Sequence, residues 1–385
     1  MNYRLSAALG AGMVASLLLA GCSSSSSGGQ SSAAGQSSAG AQSSAAGPSS
    51  ASAASASCVS AAGQGRTGFS SAPTLQMPAA IDGKKFSGKT IVAIPESYAI
   101  PDDAVWVSGL QAAAASVGVK VKVILGGGTP NTETQAIQEA ISQNPAAVAT
   151  FGIVSASVSS GVAALAKANI PLIAYEPGFP TTVKYVVEGN WPAIGKLQAD
   201  YMLAETGCKL NGVIFTSSAF SNITEQVNAT TAEIKRLCPA CQSQVIDVDP
   251  TQLATTLQPD TVDALQKDPN VNYLMGAYDG LTGFMIPGVK QANSKVPIIS
   301  NTGTTQNLTQ VEQGTQAADI EAAPTAELGW MTLDDAMRAI AGEPPAAQWA
   351  KLPIFLITSA NVTAAKSYLA STAYVSQFKS LWGVS

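Results

Sequence analysis

The chain of 385 residues contains no histidine. That absence removes histidine-based triads, histidine-ligated zinc and histidine general bases. Carboxylate-pair chemistry stays open. Charge is scarce as well: 20 basic and 25 acidic residues are spread out, and no basic cluster forms. A nucleic-acid-binding face needs such a cluster, so that class of partner is disfavoured. Beyond the first 20 residues no long apolar run occurs, so nothing later in the chain is expected to span a membrane.

What is present begins with LLLAGCSSSSS at residues 17–27. One basic residue, Arg4, precedes an apolar segment that ends in small residues just before Cys22. These are the parts of a signal peptide, and the apolar part is shorter than the roughly 20 residues of a spanning helix. The cut before a cysteine resembles the lipobox of bacterial lipoproteins. The resemblance implies a signal peptide over 1–21, lipid on Cys22, and a body outside the cytoplasmic membrane, tethered to it. Residues 22–60 follow as anchor and linker; from 23 to 57 they hold almost only Ser, Ala, Gly and Gln. Such a stretch buries no core and is expected to be disordered, spanning about 30 Å.

Four further cysteines remain: Cys58, Cys208, Cys238 and Cys241. They are disulfide candidates, since an exported compartment permits bridges, and three pairings are possible. The CPAC spacing at 238–241 is that of redox motifs. It falls at an expected helix end, however, where nothing lowers a thiol's pKa. A structural bridge from Cys208 to Cys238 or Cys241 is the favoured expectation.

GKKFSGKT at 83–90 fits the phosphate-loop pattern letter for letter. That loop needs a strand before it and a helix after it. Here a loop precedes and an apolar strand follows, so no nucleotide or other cofactor is assigned. From residue 90 onward strands alternate with amphipathic helices. Strands are expected at 90–94, 119–125, 147–151, 170–174, 184–187, 212–216, 245–248, 273–277, 296–300, 319–321 and 352–358. The lysines of 119–125 suggest a sheet edge. The alternation predicts an α/β fold of two doubly wound parallel sheets.

Several stretches then carry a family likeness, each weak alone and specific in combination. They are GKTIVAIP at 88–95, QAIQEAI at 135–141, ANIPLIA at 168–174, GNWPAIG at 189–195, PIISNTGT at 297–304 and LPIF at 352–355. The chain thus resembles a type I periplasmic binding protein of the ribose-binding kind, the receptor of an ABC importer. The resemblance implies two lobes joined by a three-strand hinge, with residues 87–187 plus 302–351 in lobe 1 and 188–301 plus 352–385 in lobe 2. It implies a small-molecule ligand in the cleft, an ABC permease as partner, a monomer, and no chemistry.

Candidate ligand residues follow the strands, where open α/β sheets place their sites. In the first lobe they are Tyr98, Asp102, Asp103, Trp106, Ser155, Glu176 and Phe179, with Asn190 and Trp191 at the first crossover. In the second they are Ser218, Asn222, Tyr278 and Asp279, with Asn301 and Thr302 at the second crossover and Asp279 foremost. Aromatic faces and carboxylates suit a sugar-like solute. Asp102 and Asp103 equally suit a helix N-cap, and Trp106 equally suits the core. The family's arginine, aspartate and glutamine fall here near Asn228, Thr302 and Ala322, so a less polar ligand enters consideration. A receptor for a membrane sensor is the alternative partner reading. A glycosidase using facing carboxylates is the remote one.

Overall fold

The computed structural model describes residues 49–98, 100–175 and 178–384. The signal peptide, Cys22, the linker up to residue 48, and Glu176 lie outside them. The chain opens with α1 (Ser49–Gly65), a helix inside the stretch expected to be linker. Alanine and serine there support a helix once Cys58 and Ala62 find a buried face.

The first sheet alternates as β1 (Thr90–Pro95), α2 (Pro101–Val117), β2 (Lys120–Val123), α3 (Pro130–Ser142), β3 (Ala147–Phe151), α4 (Ser159–Lys167), β4 (Leu172–Tyr175) and β5 (Tyr185–Val186). Its strands run parallel in the order β2-β1-β3-β4-β5. β1 and β3 are apolar runs buried on both faces, as central parallel strands require. β2, with its two lysines, is the edge.

The second sheet brings α5 (Trp191–Glu205), β6 (Asn211–Thr216), α6 (Ser221–Leu237), β7 (Gln242–Asp247), α7 (Leu253–Lys267), β8 (Tyr273–Gly276), α8 (Asp279–Gln291), β9 (Ile298–Ile299), α9 (Thr305–Glu312) and β10 (Ala318–Glu321). The order is β11-β10-β9-β8-β6-β7, where β11 (Phe355–Thr358) joins antiparallel to β10 after α10 (Thr325–Ala341). α11 (Val362–Leu369) and α12 (Ala373–Leu381) complete the chain.

Two lobe boundaries differ from the sequence expectation. β10 hydrogen-bonds within the second sheet, so the second crossover follows Glu321 rather than Asn301. α12 leaves the second sheet and packs on α10, and α10 packs on α2 and the first sheet. The α2/α10 contact is close because both helices carry glycine at the crossing. A Cβ on Gly109 would stand 2.0 Å from the Ala326 carbonyl, and one on Gly329 would stand 2.3 Å from the Leu110 nitrogen. The short β9, two residues where five were expected, reflects a chain that turns into polar, buried contacts at Ser300 and Asn301.

The disulfides also differ. Cys58 is bonded to Cys208 and Cys238 to Cys241, with Cα–Cα distances of 6.2 and 5.3 Å. The expected Cys208 bridge to Cys238 or Cys241 fails because α1 lies along α5 and delivers Cys58 to Cys208 first. The Ser55 hydroxyl, donating to Gly207 O, and an Arg66–Glu205 ion pair hold the same contact. The chain then runs on past both sheets. Leu356 N donates to Phe69 O, Arg338 to Ala79 O, and Ile81 N to Leu381 O.

Candidate functional site

The loops at the carboxyl ends of both sheets meet across one cleft. Two of the three crossovers run side by side there: Glu188 N donates to Trp349 O and Leu352 N to Glu188 O. The cleft walls touch at Gly178, whose added Cβ would lie 3.3 Å from Ser155 Oγ in its own lobe and 3.2 Å from Ser221 Oγ of the other.

Glu96, the residue after β1, was not among the sequence candidates. Its carboxyl is pushed up to about 7, first by burial, then by the charges of Asp103 and Glu133. A Cβ on Gly152 would stand 3.1 Å from Glu96 Oε2 and 3.8 Å from Asp103 Oδ1, so the two carboxyls share a corner. Across the cleft stands Tyr278, packed edge-on against Phe220 with ring centroids 6.1 Å apart. Burial pushes its phenol up to about 12, and the charge of Glu96 adds to this. The two residues come from different lobes and lie near enough for that charge to act.

Glu321, also missed, ends β10. Burial holds its carboxyl well above the ordinary range, against backbone donors at Ala322 and Ala323; the charges of Asp279 and Asp102 raise it further. The signal for both residues was their place, each at the end of a strand. Glu321 was hidden by the misplaced crossover.

Other sequence candidates sort by surroundings. Tyr98 is exposed and Phe179 packs against the α3/α4 side of the first sheet. Asp102 is half-buried, and burial raises its pKa while a bond with Thr325 opposes this. Asp103 is buried and accepts from the loop at Ser97 N, 2.7 Å away; the N-cap of α2 is Ile100, so neither Asp102 nor Asp103 fills the capping role weighed for them. Trp106 belongs to the core: it is fully buried, stacks on Phe151 at 5.1 Å and donates to Thr332 Oγ1. Ser155 donates to Gly178 O at 2.7 Å. Asn190 caps α5, and Trp191 beside it is buried with its indole nitrogen unpartnered. Ser218 is exposed and tied to Asp247.

In the second lobe Asn222 is buried in the first turn of α6 with Oδ1 unpartnered. Asp279, expected foremost among the ligand residues, instead lies 4 % exposed beneath the surface. It accepts from Ser300 Oγ and Thr304 N and shares a hydrogen bond with Asp319. Its pKa is raised by burial and then by Asp319. Asn301 likewise serves the interior: its Oδ1 accepts from Gln198 Nε2 at 3.2 Å and Gln226 Nε2 at 2.7 Å. Both sit where strand ends bury polar groups, which must then be satisfied internally. Thr302 is half-buried with φ 124°, a region that β-branched residues rarely adopt. Among the described residues no His, Cys, Asp and Glu grouping could hold a metal ion.

Residues 92–344 match the model of the family described as periplasmic binding protein domain, and the chain belongs to that family. No curated protein matches it. Solved structures share its fold. One is an ABC transporter solute-binding protein from Agrobacterium vitis with bound allitol: TM-score 0.65, 17% identity, 72% of this chain and 98% of that one covered. Another is a carbohydrate transporter from Acidothermus cellulolyticus with myo-inositol: TM-score 0.63, 16% identity, 73% and 98% covered. A third is a periplasmic ribose ABC transporter from Conexibacter woesei: TM-score 0.65, 16% identity, 78% and 99% covered.

Proposed function

We propose that the chain is an extracytoplasmic solute receptor that captures a small molecule between its lobes and delivers it to an ABC permease. The approach of the two lobes at their strand ends, where a Cβ on Gly178 would meet Ser155 Oγ of one lobe and Ser221 Oγ of the other, carries this reading. Ligand contacts from both lobes favour closure about the crossovers at Glu188, Glu321 and Leu352. The reading draws support from the family and from structures of the same fold that hold allitol and myo-inositol. It includes a monomeric body held to the membrane through lipid on Cys22, and it assigns the cleft no chemical step.

The test is a thermal-shift screen of the full chain against sugars, polyols, nucleosides and amines. A ligand at about 1,000 times its dissociation constant adds roughly 4 kcal/mol. Hits confined to one chemical class are expected. No hit, joined to turnover of aryl glycosides, would sink the receptor reading. For the anchor, Cys22→Ser is expected to release the protein from the membrane fraction; unchanged retention rejects it.

A further inference from the structure

The two disulfides do different work. Cys58–Cys208 spans 150 residues and fastens α1 to the end of α5, whereas Cys238–Cys241 spans 3. Closing so short a loop restrains the unfolded chain little. The turn is also held without it: Cys241 N donates to Cys238 O and Gln242 N to Leu210 O, each at 2.9 Å. As a staple the CPAC bridge is close to redundant, and solute capture makes no use of it.

Its surroundings point to exchange. Pro239 and Ala240 are exposed and Cys241 is half-buried, while Cys238 is buried. Cys238 Sγ stands 3.3 Å from Cys208 O, so one bridge touches a residue of the other. The sheet fixes this neighbourhood, because Asn211 and Gln242, which open β6 and β7, are partners. Cys208 and Cys241 also line one surface cavity of about 480 Å³, together with Lys209 and Asp268. A cysteine of each bridge is thus reached from the same hollow.

We propose that the CPAC turn is a thiol–disulfide exchange site for an external dithiol, and that it passes the exchange on to the Cys58–Cys208 bridge. Such exchange runs by thiolate attack through a mixed disulfide. A thiolate of the dithiol attacks Cys241 Sγ, and the electron pair of the broken S–S bond leaves on Cys238. The Cys238 thiolate, already beside Cys208, attacks Cys208 Sγ. A Cys208–Cys238 bond forms, and Cys58 leaves as a thiolate that takes up a proton. The second thiol of the dithiol then displaces Cys241 and closes the dithiol into its own disulfide. Two S–S bonds of the protein become one, the dithiol loses two electrons, and its two protons end on Cys58 and Cys241. α1 is then held on α5 by noncovalent contacts such as the Ser55–Gly207 hydrogen bond and the Arg66–Glu205 ion pair. The covalent fastening of α1 to the body becomes redox-reversible.

The test maps disulfides by mass spectrometry after N-ethylmaleimide trapping of the folded full chain at pH 8. Stepwise addition of dithiothreitol should yield a Cys208–Cys238 peptide pair, with Cys58 and Cys241 alkylated, before any fully reduced chain. Cys241→Ser leaves Cys238 as a thiol and should form the same pair, with Cys58 alkylated, in the absence of reductant. Cys238→Ser should keep Cys58 bonded to Cys208 under the dithiothreitol dose that exchanges the parent chain. Loss of the two bridges in the parent chain with no Cys208–Cys238 pair overturns the proposal, whether or not the variants fold. A Cys208–Cys241 pair overturns it too, since the attacking sulfur would be the other one. So does a folded Cys241→Ser chain that retains Cys58–Cys208 with Cys238 alkylated.

Discussion

Trp349 and Trp382 donate their indole N–H groups to opposite oxygens of one carboxylate, that of Asp334, at 3.0 and 2.9 Å. Asp334 is fully buried and paired with Arg338 at 2.8 Å. Arg338 in turn donates to Ala79 O. One ion pair on α10 thus ties the third crossover, the C-terminal helix and the incoming chain to the first sheet. Burying charge is tolerated because each polar atom finds a partner.

Trp382→Phe should keep the aromatic stack on Trp330, whose centroid lies 5.3 Å away, and lose the bond to Asp334. A hydrogen bond to a charged group contributes about 1.5–3 kcal/mol. Urea unfolding should register a loss of that size. Trp382→Ala should lose more, about 3–5 kcal/mol. Equal midpoints for Trp382→Phe and the parent chain would show the bond to be idle.

The Cys58–Cys208 bridge closes a loop of 150 residues. Loop-closure reasoning assigns such a bridge about 4–5 kcal/mol, and measured bridges typically contribute about 2–4. A Cys58→Ser, Cys208→Ser double variant should unfold at lower denaturant by that margin while Cys238–Cys241 stays intact. A midpoint unchanged by the double substitution would mean that α1 docks without covalent help.

Stability should fall as pH rises. Burial first of all holds the carboxyls of Glu96, Asp103, Glu188, Asp200, Glu327 and Asp335 up at about 7, from ordinary values of 3.8 and 4.5. The folded chain therefore binds more protons than the unfolded chain between about 4 and 7. Their contribution is complete below the ordinary carboxyl range and is lost as pH climbs through 7. The melting midpoint should be higher at pH 5 than at pH 8. A midpoint that rises across that interval contradicts the assignment.

Thr302→Gly should stabilise the protein. The threonine sits at φ 124°, and the residues after it feed Gly303 N to Asp319 and Thr304 N to Asp279. Strain of this kind amounts to about 1–3 kcal/mol, of which glycine's added chain entropy returns roughly 1. A gain of about 1 kcal/mol by chemical denaturation is expected. A loss would show that the hydroxyl or methyl of Thr302 holds the crossover in place.

The alternation of strand and helix was plain in the sequence because buried parallel strands are written as unbroken apolar runs, as in TIVAIP and AVATF. β2 announced its edge position through Lys120 and Lys122. The partition of the lobes was not plain. β10 carries ADIE, two acids in four residues, and its place in the second sheet depends on burying Asp319 against Asp279, a pairing that no local pattern encodes. The same non-local burial misdirected the site. Asp279 and Asn301 occupy strand ends in sequence, yet their partners Ser300, Gln198 and Gln226 draw them inward. Trp106 went the same way, into the stack with Phe151. Glu96 was within reach of sequence reading, since it directly follows β1.

The Cys58–Cys208 bond also fixes a point of mechanical attachment. Tension on the chain ahead of Ser49 reaches the body first at the end of α5, on the second sheet, and stops there at a covalent link. If the proposed lipid anchor holds the chain at its start, the second lobe would be the fixed jaw and the first lobe, with α2 and α10, the one left free to move.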